Sequence, residues 1–402
     1  MKILFITIMW PREGDRNLYS DLMEEFIEHG HEVYVCTINE RRRKEPTICF
    51  NQKGIQVLRV KTGNVTQTKS IEKLISLFRL NYQLKRSINK YFKYAKFDLI
   101  IFPTPPITLV GLLSYLKRKN QSGFYLLLKD IWPQGSVDLG LIRKGSFAWR
   151  VFRLLEKKLY QTADYIGCMS PKGVEYVLKN NPNLSEMKVE ECPNSIRLKE
   201  IITIDAKKVR EKYDIPMDKT IFIFGGNLGI GHGLEFLMNA IKALADYKKA
   251  FFVIAGSGIR FNFVKRTFNQ NKPLNALLLN HLPKDDYNAI LQSSDVGLIL
   301  LERKYTVPQF PSRLLGFLEY GKPVLCAVNQ ETDIGFIVEK SGCGFSLLHG
   351  DLDSFVDKVH RLSEGSEMRN QMGRNAKILL ETKYSTLHSY NVIAQHFMDL
   401  SS

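Results

Sequence analysis

The chain lacks the cysteine spacings that build metal sites, redox sites or small stapled scaffolds. Its six cysteines (Cys36, Cys49, Cys168, Cys192, Cys326, Cys343) are scattered, and none forms a C-x-x-C pair. That argues against a zinc ribbon, a thioredoxin-like centre and a disulfide framework. Cys36, Cys168 and Cys326 lie in apolar runs and read as buried reduced thiols, which suits a cytoplasmic protein. A membrane span is missing too. The longest uncharged run, Leu99–Leu116, is broken by Pro103, Pro105 and Pro106, so it reads as a strand, a turn and a helix start. MKILFITIMWP runs directly into Pro11-Arg12-Glu13-Gly14-Asp15 with no small-residue cleavage site, so no signal peptide is expected. No G-x-x-x-x-G-K-[ST] segment occurs, which disfavours a P-loop NTPase. Nor is there a G-x-G-x-x-G between a strand and a helix, so nicotinamide binding is weakly supported.

What the chain has in excess is positive charge. It carries a formal net charge of +16 over 402 residues, with 44% apolar and 24% charged residues, ordinary for a globular protein with room for two cores. The excess is concentrated in the first half. Lys69–Lys96 interleaves Lys69, Lys73, Arg79, Lys85, Arg86, Lys90, Lys93 and Lys96 with leucines, isoleucines and aromatics. Arg143–Lys158 adds Arg150 and Arg153 beside Phe147, Trp149 and Phe152, and Arg41-Arg42-Arg43-Lys44 forms a third cluster. Basic amphipathic helices read as faces for an anionic membrane surface; the plainer reading is solvated helix surface. No nucleic-acid-binding module is recognisable, so nucleic acid is not an expected partner.

Strand-like and helix-like segments alternate twice along the chain. KILFITIMW, Leu18–His29 and HEVYVCTI form a βαβ unit, and GIQVLRV, FDLIIFP, SGFYLLLKD, ADYIGCMS and a short KVEECPNS edge strand follow, with helices between. Ile201–Lys219 reads as a charged connection. The pattern restarts with TIFIFGGN, KAFFVIAGSG, NALLLNHL, DVGLILL, PVLCAV and GCGFSLL. The expected fold is α/β: two doubly wound Rossmann-like domains facing across a cleft, residues 1–200 and 201–384, with a C-terminal helix (385–402) packing back on the first.

Two stretches in the second half carry chemistry. Gly225, Gly226, Gly229, Gly231 and Gly233 sit between a strand and a helix, a geometry that lets backbone approach a phosphate; a plain tight turn is the other reading. PQFPSRLLGFLEYGKP (Pro308–Pro323) follows a strand. Its prolines hold the entrance extended, Ser312 is placed to cap a helix over Arg313–Tyr320, and Gly321 ends it. The N–H groups of Ser312–Leu315 and the guanidinium of Arg313 would then face an anion. In the first half, Asp130 follows an apolar strand and precedes Ile-Trp-Pro. It can orient a hydroxyl, act as a base, or cap a loop. His29, His31 and His349 read as structural; His232, in the glycine loop, can meet phosphate.

Together these segments resemble family 4 of the retaining glycosyltransferases, which have the GT-B fold. The resemblance rests on Gly226-Asn227-x-Gly229, Ala255-Gly-x-Gly258, His281-Leu-Pro283, Pro311-Ser-Arg and Gly321-Lys-Pro-Val in the second half. In the first it rests on Gly30-His-Glu-Val33, Asp130-Ile-Trp-Pro133 and Pro193-Asn-Ser195. The Asp-Ile-Trp-Pro motif looks most like the bacterial surface-polysaccharide subgroup that includes O-antigen N-acetyl-L-fucosamine transferases. The resemblance implies a nucleotide-sugar donor, usually UDP-linked, with its diphosphate between the Gly226–Gly229 loop and Ser312-Arg313. It places His281 and Pro283 at the base, Gly14 in an approaching loop, and Arg313 in catalysis; Asp130, from its place after the apolar strand, is the candidate catalytic carboxylate of the first domain. It implies retention, no cofactor and no metal, since no Asp-x-Asp stands where it would hold one. With the basic segments, it suggests a polyprenyl-diphosphate-linked glycan acceptor and a peripheral place at the inner face of the cytoplasmic membrane, in O-antigen, capsule or exopolysaccharide synthesis. The chain departs from the pattern where the family has a glutamate pair: Pro308 and Gly316 occupy those positions. Glu319 is the candidate substitute for ribose binding. That departure leaves two alternatives open, a sugar-nucleotide-binding subunit with little activity of its own and an epimerase of the same fold.

Overall fold

The computed structural model describes residues 1–66, 68 and 70–398; Lys69 of the first basic segment and residues 399–402 of the C-terminal helix expectation lie outside them. The chain divides into two compact units, Met1–Arg197 with Ser385–Ser402, and Leu198–Tyr384.

Unit 1 runs β1 (Lys2–Thr7), α1 (Leu18–Glu28), β2 (Glu32–Glu40), β3 (Ile48–Gln52), β4 (Ile55–Thr62), α2 (Ser70–Tyr91), β5 (Leu99–Pro103), α3 (Val110–Asn120), β6 (Gly123–Leu128), α4 (Gln134–Asp138), α5 (Phe147–Thr162), β7 (Tyr165–Cys168), α6 (Pro171–Asn180) and β8 (Val189–Glu191). Its sheet has the order β3-β4-β2-β1-β5-β6-β7-β8. Every pair is parallel except the antiparallel β3–β4 hairpin. Unit 2 runs α7 (Ala206–Lys212), β9 (Thr220–Asn227), α8 (Leu234–Ala243), β10 (Ala250–Ser257), α9 (Phe261–Asn271), β11 (Ala276–Leu279), α10 (Lys284–Ser293), β12 (Val296–Leu300), α11 (Arg313–Glu319), β13 (Val324–Val328), α12 (Ile334–Lys340), β14 (Gly344–Leu348), α13 (Leu352–Glu364) and α14 (Ser366–Lys383). Its sheet, β11-β10-β9-β12-β13-β14, is wholly parallel. The last helix, α15 (Thr386–Ala394), belongs to unit 1.

The central strands are apolar along their length because both faces are covered. In β1, Leu4 and Ile6 face one core with Ile100 and Phe102 of β5, while Ile3 and Phe5 face another with Leu99, Ile101 and Tyr125. Side-chain caps start the helices where an Asn or Ser precedes an apolar period. Asn17 accepts from the Tyr19 and Ser20 N–H groups, at 3.0 and 2.9 Å, and Ser146 from Trp149 N–H at 3.2 Å. α15 lies on α1, with the Tyr390 ring stacked on His29 at 3.9 Å and its hydroxyl 3.0 Å from His31 Nε2.

Four elements depart from the sequence expectation. The charged stretch Ile201–Lys219 is not simply a connection, since it contains α7, capped by Asp205 through Lys207 and Lys208 N–H. The strand β3 and the short helices α4 and α12 also appear where no element is expected. All six cysteines are free; Cys49, on β3, is exposed and the other five are buried.

In each unit the strand order reverses direction beside the first strand, between β1 and β5 in unit 1 and between β9 and β12 in unit 2. Carboxyl ends of strands at such a reversal open a crevice for ligands.

Candidate active site

In unit 2 the loop after β9 forms that crevice. Gly225 packs under an aromatic ring: a Cβ there would collide with Tyr287 of α10. A Cβ at Gly256, ending β10, would strike the Gly226 carbonyl. Glycine at position 225 therefore lets the α10 tyrosine pack on β9, and glycine at 256 lets the ends of β9 and β10 come together. Gly226 adopts φ +101°, with open space where its side chain would lie. Asn227 is exposed, and Leu228 N–H donates to Ser257 O at 2.8 Å, tying the loop to β10.

Arg313 begins α11, and its guanidinium lies over the Phe224 ring, 4.3 Å from the centroid. Nη2 donates to the Asn227 carbonyl at 3.4 Å, while Nη1 is shielded from solvent and has no hydrogen-bond partner. Burial lowers the Arg313 pKa to about 10, which still leaves it charged at neutral pH. An unpartnered buried N–H of a cation is costly, and an anion on the glycine loop would satisfy it. His232 is held beside it, its Nδ1 accepting from Gly229 N–H at 3.1 Å. Burial, and after it the neighbouring Arg313 charge, push the His232 pKa down to about 4. It is therefore neutral at physiological pH and an acceptor at Nδ1, so it braces the loop instead of adding a second cation.

The start of α11 corrects the sequence reading. Ser312 does not cap the helix: its backbone is already helical (φ −62°, ψ −15°) and its side chain makes no capping bond. A cap residue needs extended backbone to turn its oxygen back. The Leu314 and Leu315 N–H groups are also spent, donating to Pro311 O at 3.2 Å and Ser312 O at 3.1 Å. The helix therefore offers fewer N–H groups to an anion than its sequence suggests, and Arg313 carries the positive end. Gly316 faces α10, where a Cβ would touch Leu291 at 3.4 Å. Glu319 is the last residue of α11, at the end away from Arg313. His281 and Pro283 are exposed on the β11–α10 connection, beyond β10 from β9. What that region brings to the crevice is Tyr287, whose pKa is raised by burial and pulled back by the Arg313 charge. Its only signal along the chain is a tyrosine one turn into a helix.

In unit 1, Asp130 follows β6 at the carboxyl edge. Its N–H and that of Lys129 reach Thr104 Oγ1 at 3.3 and 3.0 Å. Asp130 is exposed, yet the protein around it thins its hydration and moves its pKa upward. Its charge in turn raises Tyr19, after burial of that ring. Lys129 is a neighbour not anticipated as functional: Nζ donates to Cys192 O at 3.3 Å, and burial lowers its pKa to about 8. Gly14 occupies an exposed left-handed turn (φ +87°) between β1 and α1.

The basic residues separate into two kinds. Arg86 and Arg150 are exposed, and Lys85 lies over the Tyr115 ring at 3.8 Å. Arg153 is spent within the unit, which corrects its assignment to a membrane face: it pairs with Glu156 and donates to Asn180 O and Asn181 Oδ1, both at 2.7 Å. Arg41 and Arg42 are likewise engaged, by Glu72 and by Glu40. On α2, Ile71, Ile75, Phe78 and Tyr82 are all about half exposed or more. Their spacing sets them in one stripe, flanked by exposed Arg79, Lys85 and Arg86. Among the described residues no helix is long and apolar enough to cross a membrane. Nor does any group of three or more His, Cys, Asp or Glu stand where it could hold a metal ion. Asp351, of the Asp351-Leu-Asp353 triplet, is occupied in capping α13 through Ser354 N–H at 3.0 Å.

Comparison with known proteins places this geometry. The family described as "Glycosyl transferases group 1" matches residues 205–378. The probable glycosyltransferase WbjE of Pseudomonas aeruginosa is 25% identical over 72% of this chain and 71% of its own length. The putative colanic acid biosynthesis glycosyl transferase WcaI of Escherichia coli (strain K12) is 23% identical over 60% of each chain. Among solved structures, sucrose-phosphate synthase from Thermosynechococcus elongatus superposes with a TM-score of 0.75 at 15% identity, over 100% of this chain and 99% of that one. WaaG, a glycosyltransferase involved in lipopolysaccharide biosynthesis, superposes with a TM-score of 0.67 at 13% identity, over 97% and 99%. The chain thus has the fold of GT-B glycosyltransferases, two Rossmann-like units, and its residues 205–378 are similar to the group 1 glycosyl transferases.

Proposed function

We propose that this protein is a retaining glycosyltransferase of bacterial surface-polysaccharide assembly, making O-antigen, capsule or a related exopolysaccharide. Its donor is a nucleotide diphosphate sugar, UDP-linked, carrying an N-acetylated or deoxy amino hexose; its acceptor is a glycan on a polyprenyl diphosphate. The observation that carries the reading is Arg313, a half-buried cation whose Nη1 is shielded and unpartnered, over an open glycine loop at the strand-order reversal. A diphosphate seated there meets the guanidinium as charge develops on the leaving oxygen, where preorganised donors contribute most. The bond from the anomeric carbon to the phosphate oxygen breaks as the acceptor oxygen bonds on the same face. The acceptor proton passes to the departing phosphate, and Asp130 orients the acceptor hydroxyl. No metal is needed in this scheme, because Arg313 supplies the counter-charge. The apolar stripe of α2 and its flanking cations suit attachment to the anionic inner face of the cytoplasmic membrane, where a lipid-linked acceptor resides.

The test is incubation with a panel of UDP-sugars, with and without a polyprenyl-diphosphate glycan, and analysis of the lipid fraction. Transfer that depends on the lipid acceptor is expected; no transfer from any donor to any such acceptor would sink the proposal. One observation favours a second reading, a sugar-nucleotide-binding subunit: Pro308 and Gly316 replace the glutamates expected there. Tight donor binding without transfer in the same assay would select it.

A further inference from the structure

We propose that unit 2 holds a second anion site, for a small phosphate-bearing ligand, on the edge of the sheet opposite the glycine loop. α11 runs between the two edges, with Arg313 at its first turn and Gly321-Lys322-Pro323 beyond its last. At that far end α14 comes so close that a Cβ at Gly373 would collide with the Gly321 carbonyl. Beside this contact lies a cavity of about 310 Å³, bounded by Asp295, Lys322, Arg369, Arg374 and Lys377. Gly373, Arg374 and Lys377 share one face of α14.

The cavity carries more positive charge than its one carboxylate offsets. Asp295 is its one carboxylate and is already engaged, by Arg210 at 2.9 Å and Ile221 N–H at 2.8 Å. Lys322 Nζ donates to Gln292 O at 2.6 Å, and Arg369 to the Leu362 and Ser363 carbonyls. Those bonds hold the cations in place and neutralise none of their charge. Arg374 is hydrogen-bonded to the neutral amide of Gln371, and Lys377 has no hydrogen-bond or ion-pair partner among the described residues. Burial lowers the Lys322 pKa to about 8; the Asp295 charge pulls it back up, and the charges of Arg210 and Lys377 push it further down. Four cations around a polar cavity of this size match a phosphate or diphosphate, whose oxygens accept from Arg and Lys together. The seven residues of α11 separate the two ends by about 10 Å at 1.5 Å per residue, so one phosphate group cannot serve both. The inference does not depend on the donor reading, since its residues are different ones.

The test uses inorganic pyrophosphate and a nucleoside diphosphate as probes, titrated calorimetrically at low salt into the full chain carrying Arg313→Ala. Circular dichroism and thermal unfolding establish that each variant is folded. One bound pyrophosphate is expected, weakened at least tenfold by adding Arg374→Ala and Lys377→Ala. A charge-matched control, Lys248→Ala with Lys265→Ala at exposed positions, is expected to leave the affinity unchanged. Tighter binding of the nucleoside diphosphate supports the site and assigns it to a nucleotide; equal binding supports it and assigns it to the bare phosphate group. No binding to the Arg313→Ala chain, or equal weakening by the control pair, would overturn the proposal. Should Arg313→Ala not fold, pyrophosphate stoichiometry in the otherwise unaltered chain falls from two to one with Arg374→Ala and Lys377→Ala if the site exists, and stays unchanged if it does not.

Discussion

The carboxyl edges of the two sheets are built on one topology and finished in opposite ways. Both place a first strand beside a reversal of strand order. In unit 2 the edge is stripped to backbone: Gly225, Gly226 and Gly256 remove side chains, and a single guanidinium waits with one N–H unpartnered. In unit 1 the edge keeps its side chains and uses them on each other, with Thr104 accepting from Lys129 and Asp130 N–H and the Asp130 charge felt at Tyr19. A glycine edge suits a ligand that brings its own charge and wants close backbone. A carboxylate edge suits a ligand that brings a hydroxyl. The fold supplies a crevice in both cases, and local chemistry decides its use.

The sharpest way to break this contrast is Arg313→Ala. It is expected to lower kcat/KM about 1,000-fold, in the range for loss of a preorganised charge donor, with partial recovery in Arg313→Lys. A loss under tenfold would remove the asymmetry between the edges. Next comes Gly256→Ala, whose Cβ meets the Gly226 carbonyl. A stability loss of ~3 kcal/mol, read from urea unfolding, should accompany weaker donor binding. Asp130→Asn is expected to cost about 100-fold in kcat while leaving donor affinity unchanged; if donor affinity falls in step, the two edges do not divide the work as described.

His232 gives a smaller, pH-resolved effect. Its folded pKa of about 4 lies below the ordinary 6.5, so between those values the unfolded chain binds more protons. Stability contributed by the neutral ring is therefore lost as pH falls from 6.5 to 4. His232→Gln should remove about 3 kcal/mol of that pH dependence, read as the difference between urea midpoints of variant and parent at each pH. The smallest effect belongs to the surface. Phe78→Ser on α2 should weaken partition onto anionic vesicles about tenfold, or ~1.4 kcal/mol, without changing transfer to a soluble acceptor analogue.

Much of the fold was readable because buried parallel strands are apolar end to end and helices announce themselves by period and cap. The strands of unit 2 stand where their apolar runs lie, and α1 starts at Leu18 behind its Asn17 cap. The elements that escaped notice lack those signals. β3 carries exposed and half-buried residues on a sheet edge, and α7 has a nearly all-polar surface. Ser312 shows a local rule overruled: the turn from Pro311 O to Leu314 N–H has already made its backbone helical. Arg153 counted toward a basic face until its partners, Glu156, Asn180 and Asn181, came into view.

Two α/β halves, a glycine loop and an arginine at a helix start in the second, and charge concentrated in the first are all legible along the chain. Those properties follow from period, composition and local turn chemistry, which act over a few residues. Contacts across the fold put Arg313 on Phe224 and Tyr287 in the space above Gly225, hold His232 neutral, and set four cations around one cavity beyond α11. Each depends on partners distant in the chain. Whether a charge is paired, buried or left to attract a ligand is set by those partners, because desolvation and Coulomb terms depend on distance in space and not on distance along the chain.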